Sequence, residues 1–254
     1  MKLWARAAYV AARTPETRNR LVDFLRAASI IAVISSHWLL AAPYLGADGE
    51  VVMGNMLELA DYTTWLSWLF QVMPVFFLVG GYANAVSWRA ALRDGKPFAA
   101  WLDARLRRLI VPVLPLIVVW ALLALLARAL GIDPALIQAS AQIALIPIWF
   151  LAIYTVIVLF VPITHAAWQR FGFVSFALPA ALAVADDALF FAGYTGLGWF
   201  NYLFVWIAMH QIGYAWLNNR LPMATARLGC ACVGLGLLYG LTVLGPYPSL
   251  AVAI

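Results

Sequence analysis

An arginine and a histidine lie on the same face of the first long apolar stretch of the chain. Arg26 and His37 are eleven residues apart, which in an α-helix amounts to three turns plus about 20°, with a rise of roughly 16 Å. The two side chains therefore share a face but lie at different depths. An arginine near a helix end can hold a phosphate or a carboxylate. A histidine in a dry pocket can move a proton near neutral pH.

Two neighbouring residues extend this polar face. Asp23 lies one turn before Arg26 and is expected to pair with it, and Ser36 gives the stretch around His37 a polar side. Ionisable residues inside an apolar span are costly, so they indicate a functional site. On this stretch alone another interpretation stays open, in which Arg26 reaches lipid headgroups and His37 hydrogen-bonds a neighbouring helix.

A second basic group precedes the third apolar stretch. Arg105 and Arg108 lie three residues apart, so on a helix they face the same way and can clamp one anionic group. Arg107 points away from them and is expected to meet lipid phosphates. An arginine cluster here is also what the bias of basic residues towards the cytoplasmic side produces, so a purely topological interpretation remains open.

Other polar residues are weaker candidates. His210, beside Gln211, either extends the polar site or hydrogen-bonds a neighbouring helix. We expect His165 to face headgroups or a helix C-terminus. Asp186 and Asp187 are expected to mark a solvated turn, with contact to a sugar as the alternative. The sequence has no nucleotide-binding loop and no credible metal cluster, so neither a metal nor a bound cofactor is expected.

Membrane-spanning helices must position these residues. Hydrophobic residues make up 65% of 254 positions and charged residues 11%, whereas a soluble domain has about 25% charged residues. The net charge of +5 comes from basic residues between apolar stretches, so no nucleic-acid partner is expected. Seven runs near the ~20 residues that cross a bilayer predict an all-α, polytopic transmembrane helical bundle. The runs cover about residues 21–42, 63–87, 109–130, 142–164, 172–192, 199–217 and 224–245.

The positions of Lys and Arg predict the orientation of these spans. With the N-terminus cytoplasmic, fifteen of the sixteen basic residues fall on the inner side and Arg128 alone falls outside. Residues 1–20 are then a cytoplasmic or interfacial segment, either helical or disordered, and 21–254 a transmembrane domain. Breaks between helices are expected at Pro43–Gly49, Gly131–Pro134 and Asn218–Pro222.

Several segments together resemble the acyltransferase 3 family of integral membrane enzymes, which acylate cell-surface carbohydrates. The family's first helix carries an arginine, ten residues and a histidine, as in the segment 20–38, RLVDFLRAASIIAVISSHW. Its second-helix motif resembles residues 73–88, MPVFFLVGGYANAVSW, with Gly80 where a serine is more usual. Arg105 and Arg108 match its arginine pair, and residues 148–162, IWFLAIYTVIVLFVP, are similar to its Trp-Phe-Leu helix.

The resemblance implies transfer of an acyl group, usually acetyl, from cytoplasmic acyl-CoA as co-substrate to a hydroxyl of a cell-envelope glycan or glycolipid. It implies that His37 is the general base or proton relay and that Arg26 positions the donor or stabilises developing charge. Arg105 and Arg108 would bind phosphates of the donor, and Asp23, Ser36 and His210 would line the site. The expected location is the plasma (inner) membrane, crossed several times.

The resemblance also implies more spans than the seven counted, so we expect the transmembrane domain to be incomplete at its C-terminus, where Leu250–Ile254 read like the start of another apolar run. Two alternative functions remain. One is a carrier or flippase of a lipid-linked sugar, in which Arg26 and His37 form the substrate or proton site. The other is an inactive, truncated relative.

Overall fold

The computed structural model describes residues 3–15, 18–40, 42–47, 49, 51–54, 56, 60, 71–145, 148–221 and 223–247. Most of these residues are helical. The α-helices are α1 (Leu3–Ala12), α2 (Arg20–Leu40), α3 (Met73–Arg93), α4 (Phe98–Ile110), α5 (Val113–Ala129), α6 (Pro134–Leu145), α7 (Ile148–Phe171), α8 (Val174–Phe191), α9 (Asn201–Leu217) and α10 (Ala224–Val243). A 3-10 helix at Thr195–Phe200 precedes α9, and two short strands are β1 (Ala42–Leu45) and β2 (Val51–Gly54).

Each of the seven predicted apolar runs overlaps one of these helices. The second run is described only from residue 71 onwards, and residues 248–254, which include the expected start of a further run, also lie outside the described residues. The predicted breaks after α5 and α9 are turns. Gly131 and Asn219 there have positive φ angles of 78° and 53°, the left-handed conformation that ends many helices.

The structure adds three elements that the apolar runs did not predict. The chain after α2 forms an antiparallel hairpin in which Ala42 pairs with Gly54 and Leu45 pairs with Val51. α4 forms a separate helix before α5. α6 precedes α7, because Asp133 Oδ1 accepts a hydrogen bond of 2.9 Å from the Ala135 N–H and caps a new helix.

Three described helical segments are long and apolar enough to cross a membrane: Phe98–Ala129, which joins α4 and α5, and the helices α7 and α8. The apolar part of α10, Leu228–Val243, is shorter. Leu122 and Leu125 on α5 and Val184 on α8 are 60%, 65% and 70% exposed. Such surfaces suit lipid contact, because large apolar patches are rare on proteins that face water.

The core forms where α3 and α9 pack closely together. Gly81 of α3 lies against the backbone carbonyl of His210, and Gly213 of α9 lies against the backbone of Leu78 and Tyr82. A side chain at either glycine would meet backbone atoms, so these small residues set the spacing of the two helices, as is common within membranes. α7 packs beside them and contributes buried Ile157, Val158 and Val161.

Polar contacts bring helix ends together at two places. Arg89, near the end of α3, hydrogen-bonds His165 near the end of α7 and Asn218 just after α9. Near the end of α8, Asp187 accepts hydrogen bonds from Asn201, which begins α9, and from Tyr247, which follows α10. The first group joins the ends of three helices, and the second lies at the other end of α9. α7, α8, α9 and α10 therefore run alternately between two faces.

Candidate active site

Helix α2 presents Arg26 and His37 at the edge of its packed face. Val22 and Ser29 on this helix are buried at 6% and 2% exposure, and α2 packs against α3. Asn19 begins the helix, because its Oδ1 accepts hydrogen bonds from the backbone N–H groups of Leu21 and Val22. At 100° per residue, Arg26 and His37 lie within about 60° of Val22 around the axis. The prediction that they share one face agrees with this packing.

The imidazole of His37 has one nitrogen bound and one available. Nδ1 lies 2.7 Å from the carbonyl oxygen of Val33, one turn earlier. A carbonyl only accepts, so Nδ1 carries the proton and Nε2 keeps its lone pair. Among the described residues, none forms a hydrogen bond with Nε2. The ring is half-buried, and its bond to Val33 orients it with Nε2 away from its own helix backbone.

The predicted pairing of Asp23 with Arg26 is wrong. Asp23 instead accepts two hydrogen bonds from Arg18, at 2.5 and 2.9 Å. Arg18 lies before the first turn of α2 and reaches the carboxylate from outside the helix. Arg26 is exposed, and no described residue forms an ion pair or hydrogen bond with it, so its guanidinium is available for a ligand.

Ser36 lies beside His37, but its hydroxyl donates to the backbone of its own helix. Its Oγ is 2.9 Å from the carbonyl oxygen of Val33, the acceptor that also receives Nδ1 of His37. The structure thus places Ser36 beside His37, and its part in lining the site stays a prediction. Ser36 and His37 share the carbonyl oxygen that orients the imidazole.

Arg105 is held in place by helix α3. Its guanidinium donates to the carbonyl oxygen of Ala83 at 2.8 Å and to the hydroxyl of Ser87. The indole of Trp101 also donates to Ser87, at 3.1 Å, and its ring lies 5.9 Å from the guanidinium carbon. These contacts leave Arg105 half-buried with part of its hydrogen-bonding capacity in use.

The other two arginines of α4, Arg107 and Arg108, differ from Arg105 in their contacts. Arg108 is exposed and, within the described part of the chain, has no ion-pair or hydrogen-bond partner. Arg107 donates from its Nε to Asp103 on its own helix at 2.9 and 3.0 Å, and because its side chain is 74% exposed, contact with lipid phosphates stays a prediction. The charges of both Arg108 and Arg26 act on Arg105. Arg26, Arg105 and Arg108, whose charges act on one another in this way, are called the positive region below.

His210 lies in a buried polar cluster with Asn84 and Tyr154. The amide Nδ2 of Asn84 is 3.0 Å from His210 Nε2 and 3.1 Å from the Tyr154 hydroxyl. His210 and Asn84 are each 1% exposed. Among the described residues, Asn84 Oδ1 and His210 Nδ1 have no hydrogen-bond partner. The cluster joins α3, α7 and α9, and its unpartnered atoms make it costly unless a further polar group reaches it.

Tyr154 connects this cluster with the positive region. The charges of Arg105 and Arg26 both act on its hydroxyl. Gly80 makes room for it, because a Cβ at that position would lie 2.6 Å from the Tyr154 ring and 2.8 Å from its hydroxyl oxygen. Sequence reasoning missed Tyr154 and Asn84. The glycine in place of a more usual serine was the one signal in the sequence that could have pointed to them.

The structure also bears on two weaker candidates. Of the two positions expected for His165, the headgroups are wrong, because it is 6% exposed and accepts a hydrogen bond of 3.2 Å from Arg89. Arg89 also donates to Asn218, so His165 lies near the C-terminus of α9. Asp186 and Asp187 do not mark a turn, because α8 continues to Phe191 and Asp186 is 5% exposed. The helix carries them inward, and Asp187 finds polar partners at the ends of α9 and α10.

These helices and arginines agree with a match over nearly the whole chain. The model of the acyltransferase 3 family, described as an acyltransferase domain, matches residues 19–252. The chain belongs to this family. It is thus an acyltransferase of a family of integral membrane enzymes. The match continues through α8, α9 and α10, where no motif had been recognised in the sequence. No curated protein and no solved structure matches the chain.

Proposed function

We propose that this acyltransferase moves an acetyl group from acetyl-CoA to a hydroxyl of a cell-envelope glycan or glycolipid. The observation that carries the proposal is the hydrogen bond between His37 Nδ1 and Val33, which leaves Nε2 as a free base. No bound cofactor or metal is needed for this transfer, and the part of the chain that the structure describes has no group of residues that could hold a metal.

The donor is proposed to bind at the positive region. A CoA molecule carries several phosphate charges, and guanidinium groups bind phosphate through paired, charge-assisted hydrogen bonds. Arg26 and Arg108 are exposed and unpaired within the described residues, while Arg105 is fixed by α3. Arg26 and His37 are separated by a rise of roughly 16 Å. The long pantetheine arm of CoA suits that separation, because it carries the thioester far from the phosphates.

The chemical step then uses His37 as a general base. Its Nε2 takes the proton from the acceptor hydroxyl, and the hydroxyl oxygen attacks the thioester carbonyl carbon. The new C–O bond forms and the C–S bond breaks, so the sulfur leaves as a thiolate. The imidazolium returns the proton to that thiolate, which yields the ester and free CoA. Positive charge near the carbonyl would stabilise the oxyanion that forms on the way.

We further propose seven spans, with the N-terminus cytoplasmic and the enzyme in the plasma membrane. The polar contacts of Arg89 join helix ends on one face, and those of Asp187 join helix ends on the other. Arg93 at the end of α3, Lys96 between α3 and α4, and Arg170 near the end of α7 belong to the Arg89 face. Basic residues mark the cytoplasmic side of a membrane protein. The donor region would therefore open to the cytoplasm, where acetyl-CoA is made.

The decisive experiment measures acetyl transfer by the purified full chain in lipid nanodiscs. We expect His37→Ala to lower kcat by about 10²- to 10⁴-fold, the range of a general base, while acetyl-CoA still binds. Binding of the donor by the variant is the control for folding. Full activity of His37→Ala would refute the base assignment. Movement of a lipid-linked sugar with no acyl transfer by the unaltered protein would favour a carrier instead.

A further inference from the structure

A basic cavity, in addition to the positive region of Arg26, Arg105 and Arg108, lies where α7 and α9 end and α8 begins. It has a volume of about 520 Å³, and Gln169, Arg170, Asn218 and Arg220 supply much of its polar lining. This volume lies within the range of small-ligand sites. None of the residues that line it belongs to α2, α3 or α4, so it is separate from the region of Arg26 and Arg105.

Two helix ends fix the backbone around this cavity. Gly172 follows α7 with a φ of 57°, and its N–H donates to the carbonyl of Trp168 at 2.9 Å. Asn219 follows α9 with a φ of 53°, and the next N–H, that of Arg220, donates to Ala215 at 2.9 Å. Both are left-handed helix caps. They fix the path of the two backbone segments that carry Arg170 and Arg220, both of which line the cavity.

The charges of the cavity are positive and uncompensated. Arg170 and Arg220 are exposed, and no ion pair to either is found in the described residues. Arg89 adds a third positive charge behind the lining, because it donates to Asn218 Oδ1 at 2.6 Å. A basic residue at a helix C-terminus is favoured by the helix dipole. That effect explains each arginine singly, but it does not require two of them to line one cavity.

The start of α8 adds to this positive field. Phe173 and Gly172 line the cavity, and Phe173 precedes this 18-residue helix without any side-chain hydrogen bond to cap it. The N–H groups of Ser175 and Phe176 in its first turn donate to the carbonyls of Gly172 and Phe173 at 3.1 Å, so α8 contributes the partial positive charge of its dipole and not a set of free donors. The two arginines and the cavity that they line are the main evidence for a positive field, and the start of α8 adds to it.

We propose that this cavity binds a phosphate group. Two guanidinium groups in one polar cavity suit an anion with several acceptor oxygens, which each arginine can contact through paired N–H groups. A phospholipid headgroup and a soluble phosphorylated compound share this chemistry. The site goes beyond the proposed acyl transfer, since it uses none of the residues assigned to donor binding or to the base.

The test compares two matched double variants of the full chain. Arg170→Gln with Arg220→Gln removes two charges at the cavity, and Arg13→Gln with Arg93→Gln removes two exposed charges elsewhere. One arm measures pyrophosphate binding by calorimetry in uncharged detergent. The other measures phosphatidylglycerol binding by native mass spectrometry from phosphatidylcholine nanodiscs. Neither readout depends on acyl transfer, so the outcome is independent of the proposed function.

We expect the unaltered protein to bind its probe in at least one arm. The affinity of the cavity variant for that probe should be lower by at least about tenfold, which corresponds to about 1.4 kcal/mol. The affinity of the control variant should stay within about twofold of the unaltered protein. Binding of phosphatidylglycerol alone identifies a lipid headgroup as the ligand, and binding of pyrophosphate alone identifies a soluble one. Binding in both arms identifies the phosphate group itself. No binding in either arm, or equal losses in the two variants, overturns the proposal. Arg220→Gln alone, which lies beyond the helix end, replaces the double variant if that variant unfolds.

Discussion

Arg105 of α4 donates a hydrogen bond of 2.8 Å to the backbone carbonyl oxygen of Ala83 in α3. This contact ties a candidate donor-binding arginine to the helix that also carries Asn84 and the close-packed Gly81. The guanidinium is thus positioned by the core of the protein, whereas Arg108 on the same helix has no hydrogen-bond or ion-pair partner among the described residues. The two arginines of the pair therefore differ in how firmly the protein holds them.

Replacing Arg105 with lysine should weaken donor binding although the charge is kept. A lysine presents one compact ammonium group and cannot contact Ala83, Ser87 and a phosphate with the fixed geometry of a guanidinium. We expect the KM for acetyl-CoA to rise about tenfold, which corresponds to about 1.4 kcal/mol, with kcat changed far less. Steady-state kinetics in nanodiscs would measure both parameters.

Arg93→Lys is the matched control for this change. Arg93 lies on the same proposed membrane face, its side chain is 80% exposed, and it approaches Asp94 at 3.7 Å. We expect its KM to stay within about twofold of the unaltered protein, since exposed ion pairs contribute little. If the two substitutions raised the KM for acetyl-CoA equally, Arg105 would have no specific part in donor binding and would contribute only to the orientation of the chain in the membrane.

The contact of α3 with α9 predicts an asymmetry among glycines. Gly81→Ala should destabilise the protein by about 1–3 kcal/mol, as overpacking does, because its new methyl group meets the backbone carbonyl of His210. Gly236 on α10 has open space around it, so Gly236→Ala should be neutral or stabilising, since alanine favours a helix. Thermal unfolding in one detergent compares them. Equal midpoints would contradict the close packing.

Apolar run length predicted most of the fold, because a bilayer span requires a long, continuous apolar helix. What it could not predict were elements defined by local hydrogen bonds. The cap of Asp133 begins α6, and the strand pairing of Ala42 with Gly54 closes a hairpin. Neither the cap nor the strand pairing changes the length of an apolar run, so run length could not predict them. The two adjacent acids also suggested a turn at Asp186, where α8 continues and buries that residue.

For the candidate site, the sequence could predict only the relationships that follow from the spacing of residues along one helix. A spacing of eleven residues puts Arg26 and His37 on one face whatever surrounds the helix. Partner choice depends on three-dimensional neighbours, so the pairing of Asp23 was assigned to Arg26 when Arg18 forms it. Contacts between helices far apart in sequence, such as Asn84 with His210, were out of reach for the same reason.

The buried cluster of Asn84, Tyr154 and His210 should be energetically coupled. Asn84→Ala removes the amide that lies 3.0 Å from His210 Nε2, and we expect a loss of about 1–3 kcal/mol of unfolding free energy. His210→Ala should cost a similar amount. Because both changes break the same contact, the double variant should lose less than the sum, with an interaction energy of about 0.5–3 kcal/mol. Additive losses would show that the two side chains act independently.

Tyr247 should make the stability of the protein depend on alkaline pH. Burial, with the hydrogen bond and charge of Asp187, raises the pKa of Tyr247 from 10.0 to about 12. Because the pKa is raised on folding, this tyrosine stabilises the folded state fully below pH 10, and the contribution is lost as pH rises through about 12. The unaltered protein should therefore exceed Tyr247→Phe in unfolding midpoint at neutral pH, with the difference shrinking over that window. All other tyrosines are common to both proteins, so the difference isolates Tyr247. A difference that stayed constant up to pH 12 would show that the contact with Asp187 does not govern its titration.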